Sequence, residues 1–220
     1  MSTSSRRDQL LTELRAWGGA SPSVLEALAT VPRERFVPPE SQSRAYENIA
    51  LSIDAGQTIS QPRMVAEMTT ACRLTPQSRV LEVGTGSGYQ AAILARLCHA
   101  VVSIERIPEL SHQATRRLRE LGFTNVQCVV GDGSLGWPAG APYDAILVTA
   151  GAPEIPWPLY EQLAPGGRLV VPVGVGTQSL LTITKTASGP QTETGIGCVF
   201  VPLVGQAGWP ESSPPAPAES

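Results

Sequence analysis

Apolar and polar positions alternate along the middle of the chain in a way that predicts strands separated by helices. Stretches with strong helix formers or helical periodicity occupy residues 91–97 and 108–121. Short apolar runs with the length and β-branched content of buried strands lie at residues 80–83, 101–104, 126–130, 143–149 and 168–173. This order predicts an α/β fold with a doubly wound, mainly parallel sheet and helices on both faces.

Two further β-rich stretches follow, at residues 179–184 and 197–204. The polar sequence SGPQTETG separates them and is typical of a hairpin-like connection. With these two stretches the sheet reaches about seven strands, the last of which form an antiparallel edge. A short helix is also predicted at residues 158–163, ending at Pro165-Gly166-Gly167.

The N-terminal part reads as a helical extension to the sheet. Leu10, Leu11, Leu14 and Trp17 recur at helical spacing, and Ser21 followed by proline starts a second short helix. We interpret residues 1–205 as one domain, with a helical part at 1–45, a loop and helix at 46–78 and the sheet at 79–205. Residues 206–220 are rich in Pro, Ser and Ala, and this composition predicts a disordered tail.

Composition narrows the function classes. The 220 residues carry a net charge of -3 with scattered basic positions, so no surface for nucleic acid is expected. No apolar run is long enough to span a bilayer, and the N-terminus lacks a signal-peptide core, which predicts a cytoplasmic protein without a membrane partner. No metal is expected, because neither histidine is spaced as a ligand with the four cysteines: Cys72, Cys98, Cys128 and Cys198.

The segment 79–97, RVLEVGTGSGYQAAILARL, reads as strand, glycine turn and helix. Gly84, Gly86 and Gly88 come at every second position, so a ligand can approach the backbone without meeting a Cβ atom. Free amides and the positive end of the helix dipole then point at that ligand. A turn with glycines needed only for packing is the alternative reading, and this segment alone leaves it open.

Two acidic residues at strand ends indicate which ligand the turn takes. The spacing is G-x-G-x-G, with Tyr89 where a dinucleotide fingerprint has its third glycine. Glu82, at the end of the first strand, would repel a pyrophosphate but suits an ammonium group. Glu105, at the end of the second, is placed to accept from two ribose hydroxyls. S-adenosyl-L-methionine carries both groups.

A donor-rich loop precedes the glycine turn. Residues 56–62, GQTISQP, combine hydroxyls, amides and a glycine just before a helix that begins near Pro62. Ser60 has the position of an N-cap of that helix, and from the pattern alone this role is favoured over a chemical one.

Several stretches together resemble the protein-L-isoaspartate O-methyltransferase family of class I S-adenosylmethionine-dependent enzymes. They are NIALSIDAGQTISQPRMVAEMT, LTPQSRVLEVGTGSGYQAAILA, the GDG at 131–133, YDAILVTAGAPEIP and VFVPLV. The likeness runs from about the first helix to Val204, and the GQTISQP block is specific to that family. It implies a Rossmann-like methyltransferase sheet.

The resemblance also implies a reaction. Enzymes of this family transfer the methyl group of S-adenosyl-L-methionine to the free α-carboxyl of L-isoaspartyl residues in damaged proteins or peptides, leaving S-adenosyl-L-homocysteine. The ester closes to a succinimide, and hydrolysis can restore aspartate. A carboxylate with a pKa near ~4 is already ionised at neutral pH, so no general base is needed and the protein mainly positions the reactants. A monomer is expected.

Site residues follow from the same resemblance. The serine of the TIS triplet, here Ser60, is assigned to the active site, which moves it from helix cap to catalytic candidate. The loop and helix at 46–78 become the substrate part, and the sheet at 79–205 becomes the cofactor part. Asp132 is expected to accept from the adenine amino group, and Thr149 to wall the pocket beside the methyl. The substrate-binding candidates are Gly56, Thr58, Ile59 and Val204. The cofactor-binding candidates are Gln61, Glu82, Gly84, Thr85, Gly86, Gly88, Glu105, Asp132, Gly133 and Thr149.

One departure from the family pattern concerns the substrate side. Where the family commonly has P-I-G-x-G, this chain has Ser52-Ile53-Asp54-Ala55-Gly56. Asp54 replaces a glycine that would permit positive φ, and it adds a negative charge near a pocket for a carboxylate. We interpret Asp54 as pointing to solvent, since aspartate tolerates the left-handed region. The alternatives are a related enzyme acting on aspartyl residues of a dedicated peptide partner and a nucleotide-binding oxidoreductase.

Overall fold

A computed structural model describes residues 2–212. Its N-terminal part holds the helices α1 (Thr3–Trp17) and α2 (Pro22–Thr30), and a two-stranded ribbon follows, formed by β1 (Leu51–Ser52) and β2 (Thr58–Ile59). Helix α3 (Pro62–Ala71) leads into the main α/β part. The elements of that part are β3 (Arg79–Val83), α4 (Tyr89–Ala95), β4 (Ala100–Glu105), α5 (Pro108–Glu120), β5 (Val126–Val130), β6 (Tyr143–Val148), α6 (Trp157–Glu161), β7 (Leu163–Val173), β8 (Gln178–Thr186) and β9 (Gly189–Cys198).

The main sheet has seven strands in the order β5-β4-β3-β6-β7-β8-β9. Strands β3 to β7 pair in parallel, and β8 and β9 add an antiparallel edge. The chain leaves β3 in one direction through β4 and β5, then returns to β6 on the other side. The carboxyl ends of β3, β4 and β6 therefore meet where the strand order reverses, which is the usual ligand position in such sheets. The predicted fold class is confirmed.

Side chains of β3 alternate between two apolar layers. Val80 packs in the layer formed with helices α1 to α4, whereas Leu81 and Val83 pack in the layer under α6. Glu82 shares the face of Val80 because alternate residues of a strand point to the same side. The acid therefore lies under the helical layer.

Two strand boundaries differ from the prediction. Strand β7 begins at Leu163, so the residues predicted to end a helix are already extended. The seventh strand is residues 189–198 and not 197–204, because β8 turns at Ala187 and Ser188 directly into β9. Nearly every β9 residue is exposed. An exposed edge strand needs no apolar face, and its polar sequence therefore resembled a connection.

The chain does not become irregular at Gln206. The amide of Gln206 donates to Asp132 Oδ2 at 2.8 Å, and the indole of Trp209 donates to the carbonyl of Gly151 at 3.0 Å. Val204 also pairs with Trp209. The predicted disorder is thus wrong for residues 206–209, since acceptors distant in sequence hold this segment. Residues 213–220, also predicted to be disordered, lie outside the described residues.

Within residues 2–212, none of the helices is both long and apolar enough to cross a bilayer.

Candidate active site

A cavity of about 290 Å³ opens at the carboxyl ends of β3, β4 and β6. The glycine turn 84–87 lines it on one side and the segment 56–60 on the other. Apolar walls come from Ile59, Val65 and Val201. The volume is close to ~300 Å³, the lower end of the range for small-molecule sites. The two loops singled out in the sequence therefore share one pocket.

The glycine turn is tied to the end of β6. Gly84 has φ +95°, and a Cβ atom there would lie 2.3 Å from Thr149 Oγ1. The Thr149 hydroxyl lies 3.0 Å from the carbonyl of Val83 and 2.8 Å from that of Gly84, and donates to them. A Cβ atom at Gly86 would meet only Ile53, at 3.5 Å. The turn is thus packed beneath Gly84 and open at Gly86, as backbone contact with a ligand requires.

Glu105 lies where the sequence placed it, at the end of β4 and in the cavity wall. Its Oε2 accepts from the amide of Gly86 and its Oε1 from the amide of Ile107, each at 3.0 Å. These two bonds fix the carboxylate and leave a lone pair free on each oxygen. Glu105 therefore has the acceptor capacity for two adjacent ribose hydroxyls, and its contact with a ribose stays a prediction.

Glu82 is placed differently from the prediction. The side chain is 0% exposed and is not among the residues lining the cavity. Its Oε2 accepts a short hydrogen bond from Ser103, whose hydroxyl lies 2.6 Å from that of Thr85. Burial, with the charge of Glu105, raises the pKa of Glu82 to about 8, and the Ser103 bond opposes this. Glu82 is mainly a neutral acid beneath the turn, not an exposed anion for an ammonium group.

Asp132 follows strand β5, as predicted, and lies beside the main cavity. It is absent from the main cavity wall and lines an adjoining, more open cavity that shares Arg106 and Val204 with the first. Asp132 Oδ1 accepts from the amide of Ser134 at 2.9 Å and from its hydroxyl at 2.6 Å, while Oδ2 accepts from Gln206. Its contact with an adenine amino group stays a prediction. Gly133 does line the main cavity.

Ser60 is not the helix cap that the pattern favoured. Gln61 occupies the N-cap position of α3 and makes no side-chain capping bond. Ser60 lines the cavity, and its hydroxyl forms no hydrogen bond with any of residues 2–212. A half-buried hydroxyl without a partner is available to a ligand. The substrate candidates Gly56, Thr58, Ile59 and Val204 line the same cavity, whereas the cofactor candidates Gln61 and Gly88 do not.

Asp54 is exposed and lies outside the main cavity, in a smaller one lined also by Ser87 and Arg117. The left-handed backbone of this turn falls on Ala55, at φ +56°, and on Gly56, at φ +67°, not on Asp54. The side chain thus points to solvent as interpreted, although the backbone reason offered for it was wrong.

Sequence reasoning missed Arg33, Tyr89 and Gln90. Tyr89 and Gln90 line the cavity, and Gln90 donates to the Thr69 hydroxyl at 2.9 Å. Their place directly after the glycine turn could have indicated this. Arg33 is fully buried and donates to the carbonyl of Ser60 at 2.8 Å. Its segment, VPRERFVPP, gave no local signal of such a contact.

The residues that line the cavity fit S-adenosyl-L-methionine. Glu105 can hold a ribose, and the open side of Gly86 admits close approach of a ligand to the backbone. Between residues 2 and 212, no group of three or more His, Cys, Asp or Glu is arranged to hold a metal ion.

Comparisons with known proteins agree with this geometry. A family model described as Protein-L-isoaspartate(D-aspartate) O-methyltransferase (PCMT) matches residues 5–208. The chain is 51% identical over 208 residues to Protein-L-isoaspartate O-methyltransferase 2 of Pelobacter propionicus, covering 93% of this chain and 92% of that protein. It is also 51% identical over 204 residues to Protein-L-isoaspartate O-methyltransferase of Protochlamydia amoebophila, covering 91% and 97%.

Solved structures show the same likeness. One protein-L-isoaspartate O-methyltransferase superposes with a TM-score of 0.83 at 34% identity, over 92% of this chain and 67% of that one. Another, from Plasmodium falciparum in complex with S-adenosyl-L-homocysteine, gives 0.76 at 25% identity, over 87% and 95%. The resemblance read from GQTISQP and the glycine turn is confirmed, and the oxidoreductase alternative has no support. The chain belongs to the protein-L-isoaspartate(D-aspartate) O-methyltransferase family of S-adenosyl-L-methionine-dependent repair enzymes.

Proposed function

We propose that Ser60 and its neighbouring backbone hold the free α-carboxylate of an L-isoaspartyl residue while this enzyme methylates it. The observation that carries the proposal is the hydroxyl of Ser60, which is unpartnered among residues 2–212 and borders the same cavity as the glycine turn. Hydrogen bonds to a charged carboxylate are worth more than those between neutral groups. A serine at this position can therefore orient the acceptor oxygen toward the cofactor side.

The cofactor side is formed by this chain's own backbone and one acid. Gly84, Thr85 and Gly86 would border the ligand, and Glu105 would accept from its ribose. When bound, S-adenosyl-L-methionine supplies a methyl group activated by a sulfonium centre. Glu82 contributes indirectly, because its bond with Ser103 supports Thr85 from below.

The reaction requires the protein to position the carboxylate and the methyl group and to exclude water. An α-carboxylate is ionised at neutral pH, so no side chain needs to remove a proton from it. The apolar walls at Ile59, Val65 and Val201 limit the water that can compete as an acceptor. The ester group is uncharged, and the neighbouring backbone nitrogen can then attack its carbonyl carbon, which closes a succinimide and releases methanol.

Asp54 gives no reason to change the acceptor. Its side chain is exposed and does not border the cavity, so it need not repel a carboxylate there. An aspartyl acceptor in a dedicated peptide partner therefore remains the second choice. We further propose that the enzyme works as a cytoplasmic monomer on damaged proteins and peptides, without nucleic acid or membrane partners.

Transfer of labelled methyl to a short peptide containing L-isoaspartate, beside the same peptide with normal aspartate, tests the acceptor. We expect label only in the isoaspartyl peptide. Label in the aspartyl peptide alone would favour the second choice. Label in neither peptide, with S-adenosyl-L-homocysteine still bound, would overturn the proposed acceptor while leaving the cofactor site intact.

A further inference from the structure

Arg33 is a fully buried cation, and no acidic side chain pairs with it in the part of the chain that the structure describes. The side chain is 0% exposed, and within residues 2–212 it forms no ion pair. Its Nε donates to the carbonyl of Ala45 and its Nη2 to that of Ser60, each at 2.8 Å, while Nη1 has no hydrogen-bond partner in the described part of the chain. Burial lowers the pKa of Arg33, and Tyr89 partly opposes this. A guanidinium nevertheless stays protonated in proteins, so an uncompensated charge is held in the core.

Burying a charge without an opposite charge is costly, because the charge loses its hydration. The position of Arg33 suggests what the charge is kept for. Its guanidinium carbon lies 4.8 Å from the centroid of the Tyr89 ring, and it holds the backbone of Ser60. Tyr89 and Ser60 both line the cavity, whereas Arg33 itself does not. The charge therefore stands one residue behind the substrate wall.

We propose that Arg33 is a positioning residue whose charge, acting through the wall at Ser60, makes the site select an anionic acceptor over a neutral one. This inference rests on the proposed role of Ser60. The guanidinium lies 2.8 Å from the carbonyl oxygen of Ser60, so a carboxylate held by the hydroxyl of the same residue would lie within ~10 Å of the charge. At an effective dielectric constant of about 20, a unit charge at that distance favours an anion by more than tenfold.

The same charge favours release of the product. Methylation turns the carboxylate into an uncharged ester, so the attraction to Arg33 is lost once the reaction is complete. The cation thus strengthens binding of the acceptor but not of the ester. Hydrogen bonds alone would give the carboxylate and the ester more similar affinities, because an ester carbonyl still accepts from a serine hydroxyl.

Binding of two matched peptides in the presence of S-adenosyl-L-homocysteine tests the proposal without turnover. One carries the L-isoaspartyl α-carboxylate, and the other carries an α-carboxamide of nearly the same shape. Isothermal titration gives the ratio of their affinities for wild type, Arg33→Met, Arg33→Gln and Arg33→Lys. We expect the preference for the acid to fall about tenfold or more in the two neutral variants. Arg33→Lys should retain most of it.

Arg63→Met is the matched control. Arg63 also lies over an aromatic ring, 4.6 Å from the centroid of Trp17, but it is exposed and does not line the cavity. Its loss should leave the ratio unchanged. If the Arg33 variants lost affinity for both peptides equally, the role of Arg33 would be purely structural. That result would overturn the proposal and leave the proposed function intact. If the wild-type enzyme bound neither peptide, that result would overturn both the role of Arg33 and the proposed function.

A measurement on the wild type covers the case in which the neutral variants do not fold. With a ¹³C label in the α-carboxylate, NMR titration compares the bound peptide with the free one. The cation should make the bound carboxylate titrate at a pH lower by at least ~1. Titration at the same pH in both states would overturn the proposal.

Discussion

Asp132 Oδ2 accepts a 2.8 Å hydrogen bond from the backbone amide of Gln206, a residue 74 positions later in the chain. Asp132 Oδ1 meanwhile holds Ser134, whose hydroxyl accepts from the amide of Ala207 at 2.9 Å. One carboxylate thus organises the segment that follows Val204, itself part of the cavity wall. The acid at the end of β5 acts on the site through the backbone it anchors.

Asp132→Ala should release this segment. The substitution removes an acceptor from two backbone amides, and we expect a loss of about 1–3 kcal/mol in the free energy of unfolding. Amide hydrogen exchange at Gln206 and Ala207 should become faster. Arg106→Ala is the control, because the Arg106–Glu211 pair is 2.9 Å long but exposed, and such pairs contribute about 0–1 kcal/mol. Equal exchange in both variants would show that Asp132 is not the anchor.

Ser60→Ala should lower activity without lowering stability. The hydroxyl makes no capping bond, so the melting temperature should stay close to that of the wild type. Loss of one hydrogen bond to a carboxylate costs about 1.5–3 kcal/mol, which corresponds to a fall of roughly 10- to 150-fold in kcat/KM for the isoaspartyl peptide. Affinity for S-adenosyl-L-homocysteine should not change.

Ser52→Ala provides the comparison for that variant. Ser52 lies in strand β1, pairs with Thr58 two residues before Ser60, and is exposed. Its substitution should affect neither rate nor stability. A Ser60→Ala protein that melts earlier and loses cofactor affinity in parallel with rate would restore the capping role that the sequence pattern favoured.

The sheet was predictable because its central strands are buried on both faces. Runs such as residues 145–148 are continuously apolar and buried, and the glycine turn between β3 and α4 has its own spacing. Strand β9 was not predictable, because an exposed edge carries no apolar pattern. Its turn at Ala187 and Ser188 also lacks the usual asparagine or glycine pair.

The parts of the site that could be predicted are those formed by residues close together in the sequence. The turn at residues 84–88 and the loop at residues 56–60 could be found because each is a short contiguous motif. Glu82 could not be placed, since its surroundings depend on Ser103 in the neighbouring strand. Arg33 contacts Ser60 across 27 positions, and nothing in a proline-rich segment indicates that contact.

Stability should depend on pH through Glu82. Burial raises its pKa to about 8 from an ordinary value of 4.5, so the folded state keeps a proton that the unfolded state has released between these values. The contribution of the neutral acid is complete below pH 4.5, and it is lost as the pH rises toward 8. The free energy of unfolding should therefore fall by up to about 1.4 kcal/mol per pH unit in that window.

Glu82→Gln isolates this effect. Glutamine cannot ionise, so the free energy of unfolding of the variant should lack this part of the pH dependence. Urea unfolding of both proteins at several values between pH 5 and 8 gives the difference. We expect the free energy of unfolding of the variant to rise relative to that of the wild type as the pH increases. The difference between the two should become constant above about pH 8. Parallel curves would mean that Glu82 is already ionised in the folded protein.

Asp54→Gly restores the glycine that the family commonly has, and it should change the methylation rate by less than about threefold. The side chain is exposed, borders a smaller cavity on the other side of the glycine turn and does not sit at a left-handed backbone position. The added glycine should cost up to about 1 kcal/mol in stability. Gly56→Ala is the contrast, because Gly56 lines the main cavity at φ +67° and should lose both stability and rate. A tenfold gain in kcat/KM for Asp54→Gly would show that its charge does reach the substrate carboxylate.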